Sequence, residues 1–354
     1  MSNENVASTL KEDKSLKFKR CTDMSVGKEE KNILDKIQRT SQDDWDVYLP
    51  CGYTYVEKEL EKNASDFKKR QNGWVKGITG ADNFAAKDRL WSIMSRHHGR
   101  NVASIYMPEG WLTYDPVQMK EFQKYAKDNP GQMYIMKKNI QRQEGLKIFS
   151  NPKDAINASN EGYVIIQKIV GNPYIIGDRK INLRVYILIK CYNGKKELYV
   201  FDDGFIYYSK APYKTGHSPD EIITTGYIDR SVYKENPLTT QDFLKYIDAK
   251  HGHGSSNRFT HLRNKALSKL MDAFSGEFRH ANDNVVYSQT FGMDIQPNHD
   301  LSEIKMNEIN KAPSIEIMEK RDGDLKQKMS DDSWRILGIT PNSTEPNGFK
   351  KVWG

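Results

Sequence analysis

Four segments rich in β-branched and aromatic residues constrain the fold of this chain more than any other feature. They span residues 132–138, 163–170, 181–192 and 196–208. Such residues favour strands, and Asn-Pro, Asn-Gly and Asp-Gly pairs punctuate this part of the sequence. Because several of these strands follow each other without an intervening helix, we expect antiparallel pairing. The sequence predicts a mixed α/β protein, of the α+β kind, with a mostly antiparallel central sheet.

Helical periodicity flanks these strands on both sides. Segment 83–99 places apolar residues at helical spacing and ends in a glycine, as an amphipathic helix with a C-terminal cap does. Apolar residues also recur every three or four positions in 237–252 and in 261–278. Two further strands are predicted over 284–295 and 303–310, and they complete the predicted core.

Composition along the chain predicts an arm, three lobes and a tail. Residues 1–40 are mostly charged or small polar residues, which bury too little apolar surface to offset the entropy of ordering. The sequence becomes dense in aromatic residues from Asp43 onward. The predicted organisation is a flexible N-terminal arm (1–40), an N-terminal lobe (41–130), a central lobe (131–180), a C-terminal lobe (181–335) and a C-terminal tail (336–354).

The charge balance favours acidic partners. Lys and Arg number 54 against 47 for Asp and Glu, which gives a formal net charge of +7. ATP, nucleic acid and acidic protein surfaces all satisfy that preference. Basic residues interleaved with aromatic ones across 180–234 are typical of strand cores, and nucleic-acid binding is the lesser alternative.

Cysteine spacing and the lack of long apolar runs bear on location. The three cysteines lie far apart and form no CxxC motif, which argues against a disulfide scaffold and against a zinc ribbon. The first twenty residues contain no apolar core of a signal peptide, and no run of eighteen apolar residues occurs. We therefore expect a cytoplasmic protein without a membrane partner.

The last two predicted strands carry a set of oxygen-bearing side chains. Asp294 lies in an apolar strand, and the alternation of a strand puts Glu308 and Asn310 on one face with Met306 and Ile304. If the two strands pair, Asp294, Glu308 and Asn310 form a cluster of hard oxygen ligands of the kind that holds Mg²⁺ beside phosphates. The alternative is that these side chains simply face water at the strand ends.

Several basic residues are placed to face the same region. Lys180, Asn182 and Arg184 share one strand face, Lys137 ends another strand, and Lys87 lies in the first amphipathic helix. Convergence of such cations would suit phosphate groups. Taken singly, each lysine has the ordinary alternative of a solvated surface position.

Four sequence blocks occur in a fixed order. They read YIMKKNIQRQEGLKIF, VIIQKIVGNPYII, KINLRVY, and GMD followed by NEINKAPS. In order and interval they resemble the motifs of the tubulin-tyrosine-ligase-like family of ATP-grasp ligases, of which this chain looks like a divergent member, from about Asp43 to about Met329. The matching positions in the first three blocks are Lys137, Arg142, Gly145, Gln167, Lys168, Asn172, Pro173, Lys180, Leu183, Arg184 and Tyr186.

The resemblance implies an ATP-grasp fold that holds ATP and Mg²⁺ between the central and C-terminal lobes. The nucleotide-binding residues it implies are Lys87, Lys137, Arg142, Gly145, Gln167, Lys168, Ile169, Val170, Lys180 and Asn182. It implies Asp294, Glu308 and Asn310 as metal ligands. It also implies catalytic roles for Lys180 and Arg184, the latter holding the transferred phosphate or the acceptor carboxylate.

The implied activity joins an amino acid to a protein carboxylate. A carboxylate attacks the γ-phosphorus of ATP to form an acyl phosphate, and the amine of an amino acid attacks that anhydride to form an amide. The implied partners are ATP, a free amino acid and an acidic protein substrate such as tubulin. The resemblance also leaves open an association of this cytoplasmic protein with the cytoskeleton.

Several positions depart from the family pattern. Asn182 stands where the family has Asp, Tyr207 where it has Arg, and Gly226 where it has Asn; Gln143 and Lys138 replace a Gly and a Pro. The metal-ligand positions are kept, whereas the acceptor-side positions are changed. The alternative to a ligase is therefore a degenerate ATP-grasp protein with a non-catalytic binding or structural role.

Overall fold

A long antiparallel hairpin forms the centre of the larger sheet. Its strands are Arg179–Tyr192 and Lys195–Ser209, and they pair antiparallel along most of their length. The turn between them places Asn193 at φ 50° and Gly194 at φ 69°. Both values lie in the left-handed region, which an Asn-Gly pair occupies at low cost in a two-residue hairpin turn.

The computed structural model describes residues 16–20, 38–40, 44–140, 145–214, 216–314, 316–340 and 344–354. Its strands are β1 (Lys17–Arg20), β2 (Gln38–Arg39), β3 (Val47–Leu49), β4 (Trp74–Val75), β5 (Gly110–Leu112), β6 (Tyr134–Lys137), β7 (Leu146–Phe149), β8 (Ile165–Lys168), β9 (Ile175–Ile176), β10 (Arg179–Tyr192), β11 (Lys195–Ser209), β12 (Thr224–Thr225), β13 (Val286–Pro297), β14 (Ile304–Asn310) and β15 (Phe349–Trp353).

The helices lie mostly before β5 and between β12 and β13. They are α1 (Val56–Lys62), α2 (Ala64–Lys68), α3 (Ala81–Ala85), α4 (Lys87–His98), α5 (Arg100–Tyr106), α6 (Pro116–Asp128), α7 (Pro219–Ile222), α8 (Val232–Glu235), α9 (Thr240–His251), α10 (Ser255–Phe274) and α11 (Lys320–Ile336). Two short 3-10 turns cover Tyr53–Tyr55 and Pro152–Ala155.

The strands form two sheets. The large sheet runs in the order β12-β11-β10-β13-β4-β3-β1-β2, with β14 paired to β13, β15 to β11 and β9 to β10. The small sheet runs in the order β5-β8-β6-β7, and all its pairs are antiparallel. The prediction of a mixed α/β fold with mostly antiparallel pairing is confirmed, although β1 to β4 add parallel pairs at one side of the large sheet.

The N-terminal stretch departs from the expectation of a flexible arm over 1–40. Lys17–Arg20 forms a strand that pairs parallel with β3. Its Phe18 is buried in a small apolar cluster with Trp334 and Leu337, which lie near the other end of the sequence. A single well-placed aromatic residue thus anchors a short part of a polar stretch, which composition averaged over forty residues does not reveal.

The predicted helix over 83–99 is divided in two. Ala86 adopts an extended conformation between α3 and α4, and Gly99 ends α4 with φ 81°. Phe84 of α3 packs edge-on against Phe274 of α10 and Phe291 of β13. This contact fixes the start of α4, and therefore Lys87, against the large sheet.

Two further observations concern cysteines and membranes. Cys191 is a buried free thiol, whereas Cys51 is disulfide-bonded. The cysteine spacing predicts no disulfide scaffold, and this disulfide bond departs from that prediction. Among the residues that the structure describes, no helix is both long enough and apolar enough to cross a bilayer.

Candidate active site

A cavity of about 920 Å³ lies between the small sheet and the large sheet. Residues of β6 and β8 line it on one side, and residues of β10, β11, β13 and β14 line it on the other. Cavities of roughly 300–1,000 Å³ are typical of small-molecule sites. The space between the sheets is therefore large enough for a nucleotide.

The cavity brings together nearly all the residues that the sequence predicts as functional. Its walls include Lys87, Lys137, Gln167, Lys168, Ile169, Val170, Lys180, Asn182, Arg184, Asp294, Glu308 and Asn310. Gly145 precedes a lining residue, Leu146, without lining the cavity itself. Arg142 lies outside the described residues. The roles implied for these residues stay predictions, but their convergence on one cavity is a structural fact.

Strand register places the two carboxylates side by side. Strands β13 and β14 pair antiparallel with Asp294 opposite Glu308. The expectation that Glu308 and Asn310 share a face with Met306 is wrong, because an irregularity in the pairing makes Met306 the partner of Ile295. An extra residue in one strand exchanges its faces, so Met306 is buried in the core while Glu308 and Asn310 line the cavity.

Arg184 provides the countercharge that buried Asp294 requires. The Nε and Nη2 atoms of Arg184 donate to the two carboxylate oxygens of Asp294 at 2.5 and 3.1 Å, in the paired geometry that suits guanidinium and carboxylate. Burial disfavours the charged guanidinium, but Asp294 raises the pKa of Arg184 well above its ordinary value. Arg184 also lies over the ring of Tyr207, whose centre is 5.0 Å from the guanidinium.

The two carboxylates titrate differently because their neighbours differ. Burial, with Glu308 adding to it, raises the pKa of Asp294 to about 6 against the lowering effect of Arg184. Burial also acts to raise the pKa of Glu308, but the positive charges of Lys87, Lys137 and Arg184 outweigh it and the pKa falls below its usual value. Glu308 is therefore more fully ionised than Asp294 near neutral pH.

Two buried lysines line the same cavity as the carboxylates. Burial lowers the pKa of Lys137 to about 8, although Glu308 partly restores it, and burial together with the charge of Lys137 lowers the pKa of Lys180 to about 7. The amine of Lys180 donates to the carbonyl of Ile222 at 2.8 Å, and that of Lys137 donates to the carbonyl of Asn307 at 3.3 Å. Neither amine has a close carboxylate partner among the described residues, so an anion entering the cavity would be attracted by both.

The wall formed by the end of β8 is more apolar. Ile169 and Val170 line it beside Gln167, whose amide donates to the carbonyl of Pro108 at 3.3 Å. The amine of Lys168 forms an ion pair of 3.5 Å with Glu109. This mixture of apolar walls and backbone groups suits a flat heteroaromatic ring.

Asn182 adds an unsatisfied acceptor. Its Oδ1 atom is buried and has no hydrogen-bond partner within the described part of the chain. Leaving such a group unpaired costs about 1–3 kcal/mol. A ligand that donates a hydrogen bond in the cavity would remove this cost.

Comparison with known proteins identifies the family to which this constellation belongs. A sequence model described as the tubulin-tyrosine ligase family matches residues 68–347, a range that includes all the residues named above as lining the cavity. The chain belongs to the tubulin-tyrosine ligase family. The two packed, mostly antiparallel sheets with helices around them are the ATP-grasp-like fold expected of this family.

Curated relatives in the family share about a quarter of their aligned residues with the chain. The probable tubulin polyglutamylase TTLL9 of Rattus norvegicus is 26% identical over 218 residues, covering 57% of the chain and 44% of that protein. The probable tubulin polyglutamylase ttll-9 of Caenorhabditis elegans is 24% identical over 252 residues, covering 65% and 58%. Tubulin polyglutamylase TTLL5 of Homo sapiens is 26% identical over 133 residues, covering 37% and 10%. The chain spans less than half the length of rat TTLL9.

Sequence reasoning missed several residues of this family member's cavity. Helix α11 contributes Asp322 and Lys326, which form a buried ion pair of 2.9 Å. The loop between β12 and α8 contributes Tyr227 and Arg230. The four-residue spacing of Asp322 and Lys326 is a helix signal, but nothing in their local sequence indicates that they face a cavity built by strands far away.

Replacing Lys180 by Met is expected to stabilise the unliganded protein at pH 7 by about 1–2 kcal/mol, because the site keeps a buried amine at a cost to stability. The folded-state pKa of about 7 lies below the ordinary 10.5, so wild-type stability rises with pH between those values and the advantage of the variant shrinks at pH 9. Urea unfolding at both pH values measures this. The exposed Lys195 supplies the control: Lys195→Met leaves the unfolding midpoint unchanged. A destabilised Lys180→Met protein would contradict the account.

Proposed function

We propose that this chain is an ATP- and Mg²⁺-dependent ligase that joins an amino acid to a carboxylate of tubulin or of another acidic protein. The observation that carries the proposal is the cavity itself, in which Asp294 and Glu308 lie opposite each other in register and share the wall with buried Lys137, Lys180 and Arg184. The relatives named above carry the name tubulin polyglutamylase, and the chain belongs to the same family. This supports tubulin as the acceptor.

The donor set suits a magnesium ion. Asp294, Glu308 and Asn310 offer hard oxygen ligands, and Mg²⁺ usually takes one or two protein carboxylates and fills its other positions with water and substrate phosphates. Among the described residues no group of three or more His, Cys, Asp and Glu side chains has a metal-binding arrangement. A bound ion would therefore depend on the two carboxylates, on Asn310 and on non-protein oxygens, and it would neutralise phosphate charge.

The residues of the chain then contribute chiefly by position and charge. Lys137 and Lys180 would hold phosphate oxygens, and Gln167 to Val170 would line the base. In the proposed reaction the acceptor carboxylate attacks the γ-phosphorus with ADP leaving, which gives an acyl phosphate. The neutral amine of the amino acid attacks its carbonyl carbon, inorganic phosphate leaves and the nitrogen loses a proton. Positioning and cation neutralisation account for most of the acceleration in such transfers.

A non-catalytic nucleotide-binding protein is the second candidate. On β11 the chain has Tyr207 where the family pattern has an arginine. The nearby Arg184 already donates hydrogen bonds to both carboxylate oxygens of Asp294. Such a protein would bind ATP with magnesium and transfer nothing. The two candidates therefore share nucleotide binding and differ in turnover.

The first measurement is thermal unfolding of the whole chain with and without ATP and magnesium. A ligand at 100 times its dissociation constant stabilises the native state by about 2.7 kcal/mol, so we expect a rise of several degrees in the unfolding temperature. The second measurement incubates the protein with ATP, magnesium, tubulin and each radiolabelled amino acid in turn. Incorporation supports the ligase; a nucleotide shift with no label from any amino acid favours the non-catalytic candidate; the lack of both overturns the proposal.

The proposed acceptor also suggests where the protein acts. A tubulin-modifying ligase would work in the cytoplasm at microtubules. The net charge of +7 would draw it toward acidic tails and would do so less at high ionic strength.

A further inference from the structure

One part of the cavity wall is formed by residues that the four sequence blocks do not describe. We call it the distal compartment; its walls include Tyr207, Tyr227, Arg230, Tyr233, Glu316 and Lys326. Arg184 contacts both parts of the cavity, since it binds Asp294 of the carboxylate cluster and stacks on Tyr207 of this compartment. The side chain of Tyr227 is 66% exposed, so the compartment opens to solvent there.

Three cations of this region each lie over an aromatic ring. The guanidinium of Arg184 is 5.0 Å from the ring centre of Tyr207, and that of Arg230 is 4.4 Å from the ring centre of Tyr233. The amine of Lys326 is 5.2 Å from the ring of Phe205. Stacking of this kind fixes a cation in place without neutralising its charge.

The three cations differ in how fully their hydrogen bonds are used. Arg184 is engaged by both oxygens of Asp294. Lys326 pairs with buried Asp322 at 2.9 Å and also donates to the carbonyl of Glu316. Both are therefore largely committed to partners within the protein.

Arg230 is the cation with donors to spare. Its Nη2 atom lies 3.2 Å from the carboxylate of Glu319, which is itself about one-third exposed. A guanidinium presents its donors in a fork that matches a carboxylate. The Nε and Nη2 atoms of Arg230 are both buried and make no hydrogen bond to a described residue, so a carboxylate bound in the cavity would supply the acceptor that they lack.

The position of Arg230 also compensates for a change on β11. The family pattern places an Arg where this chain has Tyr207, and the ring of Tyr207 belongs to the same apolar cluster as that of Tyr233. Arg230, stacked on Tyr233, thus brings a cation back to this end of the cavity from the loop before α8. Tyr207 and Arg230 lie on different segments of the chain. Comparison with the family motifs therefore shows that the arginine is missing at position 207, but it does not show that Arg230 supplies a cation nearby.

We infer that Arg230 binds a carboxylate of the incoming amino acid and thereby orients its amine toward the activated acceptor. This rests on the proposed function, because it deepens the same site. The ligand class is a free amino acid, recognised through its α-carboxylate or through a side-chain carboxylate. Loss of Arg230 weakens amino-acid binding and leaves nucleotide binding intact, since the described contacts of Arg230 are with Tyr233 and Glu319 and not with the lysines and carboxylates assigned to the phosphates and the metal.

The test measures binding of L-glutamate to the whole chain by saturation-transfer NMR, with ADP and magnesium present. Arg230→Ala is expected to weaken glutamate binding at least tenfold, and Arg230→Lys is expected to weaken it less, because charge is kept and the fork is lost. Arg96→Ala, at an exposed arginine outside the cavity, is the control and binds as the wild type does. L-Glutamine, which lacks the side-chain carboxylate, and 4-aminobutyrate, which lacks the α-carboxylate, show which carboxylate Arg230 holds.

Each outcome decides the inference. A tenfold loss in Arg230→Ala, with the ATP-induced rise in unfolding temperature unchanged, supports it. Wild-type affinity for glutamate in Arg230→Ala overturns it, and so does a wild-type protein that ATP stabilises but that binds neither glutamate nor its two analogues; in both cases nucleotide binding in the proposed function stands. If neither ATP nor glutamate binds to the wild type, the proposed function fails together with the inference. Should Arg230→Ala not fold, Arg230→Lys carries the same comparison.

Discussion

Replacing Glu308 by Gln is expected to reduce amide-bond formation about 100-fold or more, because the substitution keeps the shape of the side chain and removes its charge. Glu308 is the cavity carboxylate whose pKa is lowered by the surrounding cations, so it is ionised at neutral pH and is the natural first ligand for magnesium. Loss of that charge weakens the metal and leaves the phosphate charge less neutralised. The ATP-induced rise in unfolding temperature should fall in parallel.

The matched control is Glu303→Gln, which makes the same change just before β14. Glu303 is more than half exposed and pairs only with Lys305 among the contacts described, so activity and the nucleotide shift should stay at wild-type values. Steady-state label incorporation from ATP, tubulin and the accepted amino acid measures both variants. Turnover by Glu308→Gln within threefold of the wild type would remove Glu308 from the metal site.

The carboxylate pair could be predicted from sequence because it depends on local pattern. Alternating apolar residues mark β13 and β14, and two strands joined by a short turn pair antiparallel. Antiparallel pairing brings the carboxylates of β13 and β14 to the same region, and the same reasoning places Lys180, Asn182 and Arg184 on one face of β10. The exact register, with Asp294 opposite Glu308 instead of Asn307, depends on the irregularity beside Asp294.

The face of β14 could not be predicted in the same way. An alternation of two assumes an uninterrupted ladder, and the irregularity beside Asp294 breaks it. Whether a residue is accommodated as a bulge depends on how the neighbouring strand twists, and that information is not contained in the seven residues of β14.

The distal compartment lay beyond sequence reasoning for a different reason. Arg230 and Lys326 are nearly one hundred positions apart and lie on different segments. Lys326 reaches the cavity because α11 packs against the hairpin of β10 and β11, and Arg230 reaches it from the loop before α8. A lysine four residues after an aspartate is typical of an exposed helix face. Only the packed structure shows that this pair is buried and that Arg230 stacks on Tyr233.

Replacing Asp332 by Ala is expected to lower the free energy of unfolding by about 3–5 kcal/mol, the usual cost of removing one partner from a buried charged network. Asp332 is 2% exposed. Its carboxylate accepts hydrogen bonds from Lys328 at 2.8 Å, from the backbone of Gly348 at 2.7 Å and from Arg335. The substitution therefore leaves a buried backbone donor and a nearly buried guanidinium without their acceptor.

The same contacts fix the pH dependence of this effect. Burial acts to raise the pKa of Asp332, but the bonds from Lys328, Arg335 and Gly348 outweigh it, so the pKa lies below the ordinary 3.8. A lowered folded-state pKa gives stability that is present above pH 3.8 and is lost as the pH falls through the folded value. The difference between wild type and Asp332→Ala should thus be full at pH 7 and should shrink below pH 3.8.

Urea unfolding between pH 3 and 7 measures both the loss of stability and its pH dependence. If the free energy of unfolding falls with urea concentration at the same slope in both proteins, the native and unfolded states have kept their compactness. Asp324→Ala on the same helix is the control, since Asp324 is 65% exposed and pairs only with exposed Lys320 among the contacts described. Because Asp332 ties α11 to the segment that leads into β15, its loss also loosens the helix that carries Lys326 into the distal compartment. Amino-acid binding should therefore weaken in Asp332→Ala before nucleotide binding does, and the reverse order would show that α11 does not support that compartment.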